Sequence, residues 1–194
     1  GGFFGAPQAI LDPRTLSTPV AADFDLDGFT DIAAVAASTD ELLVFHGSAT
    51  GFEPAVTIGP AATRIVGIDL DGDGVTDLAA DGADRVYAYL TMPSRSFVRS
   101  SAPRPSSASA GETRLAVADV DGDGLEDLIV RSDGDGLVVY RSLGFGSLEA
   151  AQIMPSQRIS GEIRAVDLDS DGAPELVSTS ARSAQIRTLK NLAK

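Results

Sequence analysis

The chain has no cysteine and a single histidine, His46, among its 194 residues. The absence of thiols excludes disulfides, thiolate metal sites and Cys–His catalytic pairs. With one imidazole available, neither a zinc site nor a convincing Ser–His–Asp triad can be assembled. His46 lies where a predicted strand meets its turn, and we interpret it as a structural residue, either solvated or hydrogen-bonded. The sequence therefore predicts a protein that is not an enzyme and has no catalytic residues.

Basic residues are also scarce, since 15 Lys and Arg stand against 28 Asp and Glu for a formal charge of −13. Contacts with phosphate need clustered cations, so this balance argues against nucleic acid and anionic membrane partners. No apolar run approaches the length of about 20 residues that spans a membrane, and no charged-then-apolar leader is present. We expect a soluble chain, with no membrane insertion, that buries one core as a single domain over residues 1–194.

The acids are concentrated in a nine-residue pattern that occurs four times. Asp or Glu occupies positions 1, 3, 5 and 9, and Gly at position 6 permits a sharp turn. Carboxylates at this spacing, with the backbone carbonyl of position 7, form an oxygen cage that suits calcium. A bare acidic turn would explain one copy, whereas four evenly spaced copies favour about four Ca²⁺ sites. The predicted side-chain ligands are Asp23, Asp25, Asp27 and Asp31; Asp69, Asp71, Asp73 and Asp77; Asp119, Asp121, Asp123 and Asp127; and Asp167, Asp169, Asp171 and Glu175, with backbone ligands at Phe29, Val75, Leu125 and Ala173.

The flanking residues argue against EF-hands. An EF-hand needs a bidentate Glu at position 12 and a helix on each side, but position 12 here is Ala34, Ala80, Val130 or Ser178. Short apolar runs typical of strands precede and follow each loop. The sequence therefore predicts strand–loop–strand metal sites.

The first-position aspartates stand at 23, 69, 119 and 167, a spacing typical of propeller blades or solenoids. Each interval repeats an apolar strand, the Asp loop, a second strand, a polar turn and a third strand, with a more polar fourth strand in the first three units. We predict an all-β propeller of four four-stranded antiparallel blades over residues 18–58, 64–100, 113–154 and 162–194.

The fourth unit stops after its third strand, whereas residues 1–11 form an extra segment that is similar to the fourth strand of the first unit, Gly51–Ile58. We expect residues 3–10 to complete the last blade beside residues 185–190, which closes the ring as a compact monomer and protects the sheet edges. The alternative is that the four blades are part of a larger propeller.

The Asp loops between short apolar strands, each followed by a Gly-Phe-like segment, resemble the FG-GAP/VCBS repeat of integrin α-like calcium-binding β-propellers and propeller lectins. The resemblance implies calcium at the ligands given above and a secreted, cell-surface or periplasmic location. This chain departs from the family pattern at two places: the fourth loop ends in Pro174-Glu175, and the Gly-Phe segment of the second blade, Ser96-Phe97, is weak. We expect the fourth site to differ most in affinity.

The resemblance also implies that partners bind on the face opposite the Asp loops. Arg14, Arg104 and Arg158, with Arg64, Arg114 and Arg164, could form a basic rim there for an acidic sugar or a carboxylate. The alternative is that the first three are solvated loop charges. Asp133 and Asp135 are a possible pair of catalytic carboxylates outside the loops, but we interpret them as part of a hairpin tip. We expect either an extracellular module that binds carbohydrate or protein, or a non-catalytic support domain of a larger secreted polysaccharide-degrading enzyme.

Overall fold

A computed structural model of the chain describes residues 9–10, 12–61, 63–104, 109–133, 136–149, 152–155, 161–180 and 185–191. Within these ranges the chain is all-β and every strand pair is antiparallel, as predicted. These ranges contain no helix that is long and apolar enough to cross a membrane. The strands are β1 (Leu16–Ala22), β2 (Asp31–Ala36), β3 (Glu41–Phe45), β4 (Gly47–Ser48), β5 (Gly51–Phe52), β6 (Val56–Pro60), β7 (Arg64–Ile68), β8 (Asp77–Asp81), β9 (Arg85–Met92), β10 (Ser96–Pro103), β11 (Ser109–Ala118), β12 (Asp127–Asp133), β13 (Gly136–Tyr140), β14 (Gln152–Pro155), β15 (Ile163–Val166), β16 (Glu175–Ser180) and β17 (Gln185–Leu189).

These strands form a series of four similar sheets and one small hairpin. The first sheet has the order β1-β2-β3-β6, the second β7-β8-β9-β10, and the third β11-β12-β13-β14. The fourth sheet has the order β15-β16-β17, and β4 pairs with β5 outside these sheets. The innermost strands of successive sheets lie against one another, β1 beside β7, β7 beside β11 and β11 beside β15.

The core lies between successive sheets. Leu42 and Val44 of the first sheet pack with Leu78 and Tyr89 of the second. A second cluster joins the second and third sheets, and a third cluster, which includes Ile129 and Ile163, joins the third and fourth. The middle strands β2 and β8 are buried on both faces, which explains their continuous apolar sequences. Face-to-face packing of consecutive four-stranded sheets is the arrangement of propeller blades.

The predicted fourth strands need correction. In the first sheet the predicted strand is divided, because Gly51 and Phe52 pair in the small hairpin while β6 pairs with β3. Pro54 separates the two parts, and a proline has no backbone N–H for a continuous ladder. In the second sheet, β10 extends to Pro103, beyond the predicted Phe97–Arg99.

Among the described residues of the third sheet, the predicted fourth strand is represented by an isolated bridge between Ser142 and Leu148 and by the strand β14. The described residues therefore form five sheets rather than four uniform blades, and none of these sheets closes on itself. Residues 3–8 of the expected closing strand lie outside the described residues, as do Arg158 and Asp135.

Candidate metal centres

The four Asp loops join the first and second strands of the four sheets, which confirms the predicted strand–loop–strand arrangement. The glycine at position 6 has a φ between 81° and 91° in each loop, a conformation that disfavours residues with a Cβ. Position 4 is also left-handed, and there the first and fourth loops carry Leu26 and Ser170, with φ values of 61° and 62°. The sequence pattern did not reveal this second turn position.

The first aspartate of each loop organises the backbone around itself. Asp69 accepts hydrogen bonds from Gly72 N at 2.8 Å and Gly74 N at 2.9 Å, one at each carboxylate oxygen. Asp119 repeats these bonds, and Asp23 and Asp167 use the residues at positions 5 and 6. The loop is therefore folded by its own carboxylate before any ion is considered.

The acids of each loop converge closely enough to hold a metal ion. In the second loop, Asp69, Asp71 and Asp77 each place one oxygen within 4.8 Å of the others. Burial raises the pKa of Asp71, and the negative charges of Asp73 and Asp69 raise it further. The third and fourth loops bring together the same positions, 1, 3 and 9, whereas the first loop brings together positions 1, 3 and 5; these groups are Asp119, Asp121 and Asp127; Asp167, Asp169 and Glu175; and Asp23, Asp25 and Asp27. An all-oxygen set with this mutual repulsion fits a hard divalent cation such as Ca²⁺.

The fourth loop contains a further sign of a missing partner. Glu175 accepts a hydrogen bond from Leu168 N at Oε2, at 2.9 Å. Its other oxygen, Oε1, is buried and has no hydrogen-bond partner. An unpaired buried carboxylate oxygen is costly, so a cation at this position would satisfy it.

The ninth-position acids of the first three loops have a role that the sequence did not predict. Asp77 is 1% exposed, and its two oxygens accept hydrogen bonds from Leu70 N at 3.0 Å and Thr91 N at 2.7 Å. Burial raises the pKa of Asp77 to about 6, while these two backbone bonds oppose the rise. Asp31 and Asp127 make the same pair of bonds.

One bond in each pair ties the loop to the third-strand side of its sheet, through the backbone N–H of Gly47, Thr91 or Ser142. Each of these donors lies two positions after the third-strand residue that pairs with the second strand directly after the loop, which is Phe45, Tyr89 or Tyr140. The ninth acid thus fastens the loop to the third strand of its sheet, whatever it contributes to a metal. The available signal was the backbone N–H two residues after the third-strand partner of the second strand, but its recognition requires the strand register.

His46 is buried beside the first loop. Its Nδ1 lies 3.3 Å from Asp31 Oδ2 and 3.4 Å from Asp25 Oδ2. This contact confirms the hydrogen-bonded structural interpretation and rules out the solvated one. The three side chains also form a compact group of potential metal ligands.

Three loops have a cationic side chain at the third-position aspartate. Arg95 Nε lies 2.7 Å from Asp25 Oδ2, Arg141 Nη1 lies 3.3 Å from Asp121 Oδ2, and Lys190 Nζ lies 2.7 Å from Asp169 Oδ2. In the part of the chain that the structure describes, no Arg, Lys or His forms an ion pair with the acids of the second loop.

Four arginines of the predicted basic rim, Arg14, Arg104, Arg114 and Arg164, lie near acids. Arg14 binds Asp12 at 2.7 Å, and this bond lowers the pKa of Asp12 to about 2. Arg114 Nε lies 2.6 Å from Glu162 Oε1, and Arg164 lies 3.8 Å from the other oxygen of the same Glu. Arg14 also lies 3.5 Å from Glu41.

Arg104 is not a solvated loop charge, which corrects one of the interpretations above. Its side chain is buried, and Nη2 lies 3.2 Å from Asp81 Oδ1. Asp81 also accepts hydrogen bonds from Thr63, which precedes β7 of the second sheet, and from Thr113, within β11 of the third sheet. Burial raises the pKa of Asp81, and Thr113 and Arg104 oppose that rise. This group joins two sheets at the ends remote from the Asp loops.

The sequence also gave no sign of an exposed aromatic residue on the Asp-loop side. Phe145 is 86% exposed and has a φ of 53°, between Gly144 and Gly146, which are left-handed as well. Its turn follows β13 and packs toward the second sheet, because Ser100 Oγ donates a hydrogen bond to Gly146 O. A bulky residue in this conformation is strained and uncommon.

Comparison with known proteins supports this architecture. The family model described as FG-GAP-like repeat matches residues 23–80, 69–130 and 119–178. A comparison with curated proteins found no match.

Among solved structures, an Agrocybe aegerita lectin, which specifically recognises non-reducing terminal N-acetylglucosamine, is 20% identical with a TM-score of 0.65. The match covers 91% of this chain and 49% of the lectin chain. The V. cholerae biofilm matrix protein Bap1 is 22% identical with a TM-score of 0.55, over 90% of this chain and 26% of that chain. The chain therefore spans about half or less of these relatives, and the likeness is one of fold.

Proposed function

Because the chain belongs to the FG-GAP-like repeat family, we propose that it is a calcium-stabilised extracellular module that binds carbohydrate or protein. The observation that carries the calcium part is the convergence of carboxylate oxygens at the Asp loops, with Glu175 Oε1 buried and unpaired. The proposed ligands are the acids at positions 1, 3, 5 and 9, with the carbonyl of position 7. A secreted, cell-surface or periplasmic location would supply the calcium that modest-affinity sites need.

We also propose that the sheets are the blades of a propeller closed by residues 3–10. In the described residues β17 is an edge strand, and its Ile186 is strongly exposed. In the three four-stranded sheets the equivalent third strand pairs with a fourth. A strand beside β17 would cover this edge, whose unpaired backbone groups otherwise favour association.

The ion pairs described above bear on the choice of ligand. A basic rim for an acidic sugar requires arginines whose charge is available, but Arg14, Arg104 and Arg114 face Asp12, Asp81 and Glu162. A neutral carbohydrate or a protein surface therefore fits the face opposite the Asp loops better than an acidic ligand. The fold shared with an N-acetylglucosamine-binding lectin supports carbohydrate as the first class to test.

The proposal is tested with a glycan array that includes N-acetylglucosamine-terminated glycans, read with the intact chain in calcium and again in EDTA. We expect binding in calcium and its loss in EDTA, because the sheets that carry the binding face are held by the loops. The alternative, a non-catalytic support domain of a larger secreted enzyme, predicts no binding in either condition.

Two substitutions then locate the binding face. Arg164→Ala alters the face opposite the loops, where Arg164 is 73% exposed, and should weaken binding there. Phe145→Ala alters the Asp-loop face and serves as the matched control. If only Phe145→Ala lost binding, the result would show that the ligand binds on the Asp-loop face. Exposed aromatic rings commonly serve as contact residues.

A further inference from the structure

The first Asp loop receives an arginine from the neighbouring sheet. Arg95 Nε lies 2.7 Å from Asp25 Oδ2, and Arg95 Nη2 lies 3.8 Å from Asp27 Oδ2. Its Nη1 lies 2.7 Å from Glu53, which follows the small hairpin of the first sheet. The guanidinium therefore places its positive charge among three acids at the loop.

The backbone directs Arg95 to this position. Arg95 and Ser94 form the tip of the hairpin between β9 and β10, and both have left-handed φ values, of 63° and 68°. Two consecutive left-handed residues without Gly are strained, so the surrounding contacts must hold them. The three contacts of the guanidinium with Asp25, Asp27 and Glu53 supply that constraint, and two of them are charge-assisted hydrogen bonds.

Asp25 is also committed to a second cationic or polar partner. Its side chain is only 3% exposed, and the oxygen that binds Arg95 lies 3.4 Å from His46 Nδ1. A calcium ion that used this oxygen would meet the guanidinium at short range, where like charges repel strongly outside bulk water. The third-position ligand of the first loop is thus already occupied by the protein.

The other loops differ in this respect. The four sheets differ at one equivalent position of the third strand, which follows the residue that pairs with the start of the second strand. This position is occupied by His46, Leu90, Arg141 and Lys190 in the first to fourth sheets. Leu90 provides no charge to the second loop. Arg141 and Lys190 belong to the same sheet as the loop they contact, and the aspartates that they contact, Asp121 and Asp169, are 25% and 46% exposed. Arg95 is itself 42% exposed, but its partner Asp25 is only 3% exposed, so water screens that contact least.

From these contacts we infer that Arg95 replaces a bound calcium ion at the first loop, so that calcium binds the second, third and fourth loops. The first loop is then a metal-independent bridge between the first and second sheets. This inference rests on the proposed calcium binding at the other loops and revises the ligand set at Asp23, Asp25, Asp27 and Asp31. The charge-assisted hydrogen bond to Asp25 and the ion pair with Asp27 must be displaced for calcium to enter, so we expect an affinity about 100-fold lower than at the second loop.

Calcium titration calorimetry of the full chain tests the inference through the number of sites. We expect three sites in the native chain, three in Asp27→Asn and two in Asp73→Asn, which is the same position in the second loop. Arg95→Met should gain a fourth site, and the double variant Arg95→Met with Asp27→Asn should lose it again. Arg85→Met is the control, because Arg85 is on the same sheet and pairs with Asp84 rather than with a loop.

Melting curves provide a second measurement that does not depend on counting. Arg95→Met should melt earlier than Arg85→Met in EDTA and recover in calcium, because an ion then replaces the lost positive charge. A native chain with four sites, of which Asp27→Asn removes one, would overturn the inference while leaving the proposed function intact. An Arg95→Met variant that folds but gains no site would also overturn it, and a chain without any calcium site would refute the inference and the proposed calcium binding together.

Discussion

Replacement of Asp77 by Ala separates the structural role of the ninth-position acid from its role as a metal ligand. The substitution removes both acceptors of the backbone N–H groups of Leu70 and Thr91, which lie in buried surroundings. Each unsatisfied buried donor costs about 1–3 kcal/mol, so the two together cost about 2–6 kcal/mol.

One effect works in the opposite direction. Burial raises the pKa of Asp77 to about 6, which means that the ionised carboxylate is itself destabilising in the calcium-free fold. Alanine relieves that cost, which is about 3 kcal/mol at pH 7 but only about 1 kcal/mol at pH 4.5, so we expect a net loss of about 1–5 kcal/mol when the melts are run in EDTA at pH 4.5. For a domain of this size, that loss lowers the melting temperature by about 2–20 °C.

Asp73→Ala is the matched comparison in the same loop. Asp73 is exposed and accepts only one hydrogen bond, from Val75 N at 2.7 Å, in a part of the loop that water reaches. Its replacement should change the free energy of unfolding in EDTA by less than about 1 kcal/mol. In calcium both variants should melt earlier than the native chain, because both lose a proposed ligand.

Urea or thermal denaturation followed by far-UV circular dichroism measures both variants under both conditions. Asp77→Asn adds a graded control, since its amide oxygen retains one of the two acceptors and should give an intermediate loss. Equal stability of Asp77→Ala and Asp73→Ala in EDTA would refute the reasoning, because it would show that the two backbone bonds contribute nothing measurable without a metal.

Three further predictions concern the loops. Millimolar calcium should raise the melting temperature of the native chain and EDTA should lower it, because the unfolded chain binds the ion poorly; a melt indifferent to both would contradict the metal assignment. Asp73→Ala should reduce by one the number of calcium sites counted by calorimetry, and an unchanged count would make the second loop an ordinary acidic turn. In calcium-free buffer, the free energy of unfolding should fall as the pH rises from about 4 to 6, because the pKa of Asp77, which faces Asp71 and Asp73, is raised above its unfolded value. For Asp77 alone the loss is at most about 3 kcal/mol. Urea melts that show greater stability at pH 6.5 than at pH 4.5 would contradict the raised pKa.

Features that depend on neighbouring residues were predictable from the sequence. The alternation of acids with a glycine at position 6 located the four loops, and the apolar runs beside them located the strands that carry them. Such features follow from spacing along the chain, because turn conformation and strand alternation are local properties. The interruption at Pro54 is also a local feature, but it was not predicted, because the segment around it was interpreted as one continuous fourth strand.

Contacts between distant segments were not predictable in the same way. Arg95 and Asp25 are 70 residues apart, and no pattern along the chain relates a hairpin tip to a loop of the preceding sheet. Because it lies in a predicted connection between strands, Arg104 was interpreted either as part of a basic rim or as a solvated loop charge, whereas the structure buries it against Asp81. These pairs depend on how successive sheets stack, which requires the packing of all the strands.

The charges around the loops show why repeats with nearly the same motif need not be equivalent sites. Each loop concentrates acids, and the fold can offset their repulsion with a metal or with a side-chain cation. The choice depends on residues outside the motif, since Leu90 leaves the second loop without a cation whereas Arg95 and His46 surround Asp25 in the first. A metal is therefore needed most where the surrounding sheet provides no positive charge, and least where a buried carboxylate already has two partners. Under the proposed calcium binding, the motif alone therefore identifies the candidate loops, while the neighbouring strands determine which of them need a metal.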